Sequence, residues 1–167
     1  MKPSTATYIK DIVWDIRIAN PLGDEIKRQV IDIFEGVAEP VFSSTDNGQP
    51  TVVVGSPHIN TRGLGPDDHI VRSDGSRVDI AGGSDKAAAY GVFSFLEEIG
   101  FYFLASRFVK PSEGGLACIS SIDRTYRTKN SWRGMFLSFC MVSTSIMSLK
   151  DYEILFDNMG NSLYNTF

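Results

Sequence analysis

Cysteine, histidine and long apolar runs are scarce in this sequence, and each scarcity removes a class of protein. Cys118 and Cys140 are the only cysteines, and His58 and His69 the only histidines. Two thiols at that separation match no zinc pattern, because a structural zinc site usually takes four ligands. Two buried thiols is the plainer reading of the pair, and a single disulfide is left open. The histidines stand ten residues apart, with no third ligand at suitable spacing and no H-E-x-x-H motif. The sequence therefore assigns no metal and no cofactor. No apolar run approaches the roughly 20 residues of a membrane span, so none is expected. The N-terminal MKPSTATYIK has no apolar core of the kind a signal peptide carries. Location stays open, secreted or periplasmic if a signal has been removed. Surplus basic charge is missing too. The net charge is −4 and the 16 Lys and Arg form no stripe, which argues against nucleic acid as a partner. Nor is there an internal repeat or a low-complexity segment.

What is present is an ordinary globular composition, 43% hydrophobic and 22% charged over 167 residues, with enough chain for a real core. Residues 8–18, YIKDIVWDIRI, alternate: Ile12, Trp14, Ile16 and Ile18 fall on one face, Val13, Asp15 and Arg17 on the other. That pattern predicts a half-buried strand, broken by Pro21 and Gly23. From Asp24 to Val37 the spacing turns helical, with Ile26, Val30, Ile33, Phe34 and Val37 on one side. Asp24 and Glu25 fall in the first turn, where the helix dipole favours negative charge. SSTDNGQP at 43–50 predicts a surface loop. TVVVG at 51–55 is almost wholly apolar and suits an inner strand covered on both faces. HIVRSDGSRVDIAGG predicts a hairpin about Asp74-Gly75.

The helix after that hairpin organises the chain. Ser84 can cap it; Ala88, Val92, Phe95, Leu96 and Ile99 make an apolar stripe; Gly100 tolerates the left-handed helix end. A strand over Phe101–Ala105 follows, and Pro111 stops it. The expected order is β-α-β-β-β-α-β, an α+β fold with a mixed β-sheet and helices packed on it.

YGVFSFLEE, the IG after it, the aromatic strand and the proline resemble the N-terminal accessory α/β domain of glycoside hydrolases. The families are the β-N-acetylhexosaminidases of family 20, the α-glucuronidases and related polysaccharide-utilisation proteins. The resemblance covers roughly residues 8–111 and takes in the VVVG strand and the hairpin. It implies a zincin-like domain that precedes a (β/α)8 catalytic barrel, although the zinc-protease motif itself is absent.

Past Pro111 the stretch SEGGLACISSIDRTYRTKN is polar and reads as a linker. WRGMFL at 132–137 looks like the first barrel strand of family 20 enzymes. Ser148 and Asp151 have the spacing of a capping box. They open a helix with Tyr152, Leu155, Phe156 and Met159 on its apolar face, and Asn165-Thr166-Phe167 resembles the start of a second barrel strand. The resemblance thus divides the chain into an accessory domain, 1–125, and one βα unit of a truncated TIM barrel, 126–167. Such a barrel needs about 250 residues, so the chain reads as a fragment of a larger enzyme.

No catalytic residue is assigned, because the carboxylates that work in family 20 come from later barrel strands. Asp67-Asp68 and Glu97-Glu98 read as solvated turn and helix-surface charges. Arg133 is the one candidate for substrate binding, since its guanidinium can donate paired bonds to adjacent sugar hydroxyls. The competing reading is a structural arginine paired with a carboxylate at the domain junction. The strand also ends FLSFC, without the aspartate and second arginine often found there in the family. Gly82-Gly83-Ser84 lacks both phosphate-loop patterns and reads as a tight turn with a helix cap. Trp14, Tyr102 and Trp132, the aromatics that could stack on a glycan, fall in strand-like positions expected to be buried. The first reading is therefore the non-catalytic N-terminal part of a carbohydrate-active enzyme acting on O-glycosyl bonds. Its partners are carbohydrate, through the whole enzyme, and the rest of its own barrel. The alternative is a stand-alone carbohydrate-binding or protein-interaction α/β domain. In either case the apolar stub residues Trp132, Phe136, Leu137 and Phe156 favour self-association.

Overall fold

The computed structural model describes residues 7–45, 48–104, 107–109, 116–117 and 122–129. The chain opens with β1, Thr7–Tyr8, and one 3-10 turn, Ile9–Asp11. Then come β2, Val13–Ile16; α1, Leu22–Phe34; β3, Val41–Phe42; and β4, Thr51–Val54. The central segment is β5, His69–Ser73; β6, Arg77–Gly82; and α2, Asp85–Glu98. Four short strands follow: β7, Tyr102–Leu104; β8, Arg107–Val109; β9, Leu116–Ala117; and β10, Asp123–Tyr126. Six strands form one sheet in the order β10-β5-β6-β4-β2-β3, and β1-β9 and β7-β8 are two-stranded ribbons. Strands β3, β2, β4 and β6 run parallel, while β5 and β10 pair antiparallel to their neighbours.

This is an α/β fold with a six-stranded mixed sheet and two helices packed on it. Register explains which face the helices take. Trp14, Val52 and Val78 are aligned across β2, β4 and β6, and Ile16, Val54 and Ile80 form the next row. The Trp14 ring meets Phe34 of α1 at 5.8 Å and Phe95 of α2 at 5.9 Å, both edge-on. Both helices therefore lie on the face that Trp14 occupies. Phe34 stacks on Phe101 at 5.3 Å and extends this core beyond α2. The opposite face carries the row Asp15, Val53, Asp79, Arg72 and Asp123. Val13 and Val53 are buried on this face too, and at one end of it Ile59 and Leu64 cover Ile70 and Ala81.

The expected hairpin is present. Asp74 N–H donates to Arg77 O at 3.1 Å, and Gly75 takes φ +101°, which an L side chain rarely adopts. β4 is the inner strand expected, between β2 and β6 with Val52, Val53 and Val54 buried. It is not covered by helices on both faces: both lie on the Trp14 side, and Thr51 and Val53 line a pocket on the other. Ser84 caps α2 through a bond to its Oγ from Ala87 N–H at 3.1 Å, and Gly100 has φ +99° just past the helix.

Other expectations need correction. The strand expected over 8–18 is only four residues long, and its supposed solvent face is largely buried, with Val13 at 2% and Asp15 at 6% exposure. The reason is that β2 lies inside the sheet, between β4 and β3. Helix α1 starts at Leu22 and ends at Phe34, not Val37. The chain turns at Gly36 and Val37 N–H bonds back to Phe34 O at 2.8 Å, so Val37 packs on the core from outside the helix. The single stripe expected on α2 is too narrow, because every side chain from Ala87 to Leu96 is buried. Closest to the sheet is Gly91, where an added Cβ would lie 2.4 Å from Ile80 Cγ2. A search for large apolar residues cannot find that contact, since it depends on a missing side chain.

The polar stretch after Pro111 is not simply a linker. Leu116–Ala117 pairs with Thr7–Tyr8, and 123–126 adds β10 to the edge of the sheet beside β5. Backbone bonds make that edge, so it shows none of the apolar alternation that marks a buried strand. The strand expected from Phe101 is β7, which pairs with β8. Cys118, Cys140, Trp132, Arg133, the WRGMFL segment and the helix expected after Ser148 lie outside the described residues. Among the described residues no helix is long and apolar enough to cross a membrane.

Candidate functional site

The open face of the sheet holds a polar pocket of about 380 Å³. Three groups of residues meet there: Asp15 and Arg17 at the end of β2, Ser43–Thr45 with Gly48 and Gln49, and Asp74, Ser76 and Arg77 of the turn between β5 and β6. Thr51 and Val53 of β4 lie between them. Alternation along each strand puts the polar residues here, because the even-numbered positions of β2, β4 and β6 are committed to the helical face.

Two ion pairs dominate the face, each between residues two apart on one strand. Arg17 Nε and Nη2 both reach Asp15 Oδ2 at 2.7 Å. Arg77 Nε and Nη2 reach Asp79 Oδ1 at 3.0 and 2.8 Å, and Ser56 Oγ donates to the same oxygen at 2.5 Å. Asp15 is nearly buried, and a carboxylate so placed needs a cation beside it. The carboxyl of Asp74 is committed to its own turn. Backbone N–H groups of Ser76 and Arg77 donate to Oδ1 at 3.0 and 2.9 Å and hold its pKa below the usual carboxylate value. Each carboxylate on this face thus has a cation or a set of backbone donors, which suits binding and orientation better than proton transfer.

A second polar cluster ties β10 to the rest of the fold. His69 is 1% exposed, its Nε2 lies 2.8 Å from Ser94 Oγ on α2, and its ring stacks on Tyr126 at 4.7 Å. Tyr126 Oη donates to Glu98 Oε1 at 3.1 Å. Burial, then the Glu98 bond, pushes its pKa up to about 12. Asp68 accepts from Thr128 N–H and Gly65 N–H, both at 2.8 Å, and these bonds hold its pKa below the ordinary value. At 7% exposure Asp68 is not the solvated turn charge that the sequence suggests. Glu97 and Glu98 are on the surface as expected, although Glu98 is engaged by Tyr126 and by Arg124 at 3.5 Å.

The remaining candidates separate clearly. Arg133 lies outside the described residues. His58 is exposed and His69 buried, and among the described residues no three His, Cys, Asp or Glu side chains gather as metal ligands. Gly82-Gly83-Ser84 is the tight turn and cap expected. A Cβ on Gly83 would lie 2.0 Å from Gly65 O, and Ser84 Oγ donates to Pro66 O at 2.5 Å. The 63–68 loop therefore covers the start of α2, where a phosphate would have to sit. Trp14 is buried as expected, but Tyr102 is 59% exposed, contrary to its strand-like position.

Neither pair of the open face was singled out as a site from sequence. The signal was there: D-x-R in β2 and R-x-D in β6, on strands whose alternate residues are apolar. It becomes legible only once register places the two strands on either side of β4. No protein-family model matches the chain, and no curated protein matches it as a relative.

Proposed function

We propose that this chain is the non-catalytic N-terminal part of a carbohydrate-active enzyme. In this reading it is a zincin-like accessory domain over residues 1–125, joined to the first βα unit of a (β/α)8 barrel over 126–167. The observation that carries the reading is the placement of the YGVFSFLEE helix. It follows the Asp74-Gly75 hairpin directly and lies on the sheet formed by that hairpin and the VVV strand. This is the arrangement that the resemblance to family 20 β-N-acetylhexosaminidases and α-glucuronidases implies. The commitment of each open-face carboxylate to an arginine or to backbone N–H groups supports a role that does not include bond cleavage. In the whole enzyme the domain packs against the barrel, and Arg133 donates to the hydroxyls of a bound sugar.

The test is the reading frame beyond Phe167. About 200 or more further residues, the remainder of a barrel, are expected, with a paired-carboxylate motif on a later strand. The longer protein should hydrolyse aryl glycosides and residues 1–167 should not. A stop codon directly after Phe167, or hydrolysis by residues 1–167 alone, would overturn the reading.

A further inference from the structure

We propose that the open-face pocket binds a neutral polyhydroxylated ligand, one sugar ring, between the Asp15–Arg17 pair and the Arg77 turn. The proposal stands on the pocket itself and not on the parent enzyme, so it would hold equally in a free-standing domain.

Charge pairing sets the ligand class. Among the described residues both arginines that line the pocket are already paired, Arg17 with Asp15 and Arg77 with Asp79. Neither is an unpaired cation that would gather a free anion. Hydrogen-bonding capacity narrows the class further. Both contacts of Arg17 fall on Oδ2 of Asp15, and no donor reaches Asp15 Oδ1 among the described residues. The Nη1 groups of Arg17 and Arg77 likewise have no acceptor there, since each arginine spends only Nε and Nη2 on its carboxylate. Unspent donors beside an unspent carboxylate oxygen match vicinal hydroxyls, which donate and accept at once. The loop adds hydroxyls at Ser43, Ser44 and Thr45. At about 380 Å³ the pocket is near the small end of ligand sites, the size of a single ring and not of a chain. Among the described residues no aromatic side chain lines it, so affinity rests on hydrogen bonds exchanged with water. A ligand of about a dozen heavy atoms then binds with a dissociation constant on the order of 1 mM.

Titration of the full 167-residue protein followed by amide NMR tests this, with glucose, N-acetylglucosamine, glucuronate and inorganic phosphate as probes. The expected result is saturable shifts with a neutral sugar, centred on the amides of Ser43–Thr45 and Thr51. Two substitutions report on the site. Arg17→Lys keeps the charge but loses the planar fork, and should weaken binding about tenfold. Ser44→Ala is a surface change that leaves the fold unaffected and should weaken binding several-fold. The proposal is overturned if neutral sugars give only linear, unsaturated shifts or shifts elsewhere. It is overturned as well if phosphate or glucuronate alone saturates the pocket, or if both variants remain folded and bind as the parent does.

Discussion

Gly91→Ala should destabilise this protein, against the usual expectation for a glycine in the middle of a helix. Replacing a mid-helix glycine by alanine ordinarily gains about 1 kcal/mol of helix propensity. Here the new Cβ would sit 2.4 Å from Ile80 Cγ2, and His69 Cδ2 is next at 3.5 Å. Ordinary carbon contacts lie at about 3.5–4.0 Å, so α2 and β6 must part by about 1 Å. Ile80 cannot relieve the clash by rotation, because Cγ2 is attached to a β-branched carbon with a stiff χ1 and the side chain is wholly buried. Overpacking of this kind costs about 1–3 kcal/mol, and less the propensity gain the net loss is up to about 2 kcal/mol. That lowers Tm by up to about 8 °C in a domain of this size. Denaturant unfolding of Gly91→Ala, Ile80→Ala and the double variant tests the mechanism. Ile80→Ala alone should cost about 2–5 kcal/mol. It also removes the clashing methyl, so in the double variant Gly91→Ala should cost nothing or stabilise. The two substitutions should therefore be non-additive by at least about 1 kcal/mol. A rise in Tm for Gly91→Ala alone, or additive losses, would refute the close approach of α2 to β6.

Two further outcomes follow from the polar contacts. The Asp68 carboxyl is held below its ordinary pKa by Thr128 and Gly65, so its stabilisation is complete above the unfolded value, near pH 4, and is lost as pH falls through the lower folded value. Asp68→Asn should cost about 1–3 kcal/mol at neutral pH, and thermal unfolding from pH 7 to pH 2 should bring parent and variant together; a gap that persists at pH 2 would count against this linkage. Arg17→Ala leaves the Asp15 carboxylate nearly buried without its cation. Arg17 itself is 40% exposed, so water reaches the pair, and the loss should be about 2 kcal/mol and not the full cost of a deeply buried pair. Adding Asp15→Asn should recover at least half of it in urea unfolding, and no recovery would mean that Asp15 does not need the charge.

The elements legible in the sequence were those defined by local chemistry. The Asp74-Gly75 turn, the Ser84 cap, Gly100 and the TVVV strand each depend on a few neighbouring residues whose preferences agree. What escaped depends on residues far apart. Strand β2 looks half-exposed until β3 and β4 are placed beside it, and Asp68 looks solvated until Thr128 reaches it. Strand β10 escaped because an edge strand with exposed side chains carries no apolar pattern. The pocket was hidden for a related reason. Asp15 and Arg17 could be placed on one face of their strand, but Arg77 joins them only through the register of β4 against both neighbours. Arg133 and the barrel segment are a different matter, since they fall outside the described residues and rest on resemblance alone.

Among the described strands of the sheet, the one that fills the edge beside β5 is the last to be made. Residues 69–98 form a hairpin and a helix from one continuous stretch, whereas β10 comes from residues 123–126. On the ribosome, β5 therefore presents an open row of backbone donors and acceptors for as long as synthesis takes to pass Tyr126. An exposed strand edge is a template for pairing with another chain, and synthesis proceeds at only about 5–20 residues per second. Any shortened version ending before Ile122 keeps that edge open permanently. Such a product should be recovered as aggregate, because the short polar strand that closes the sheet would be missing.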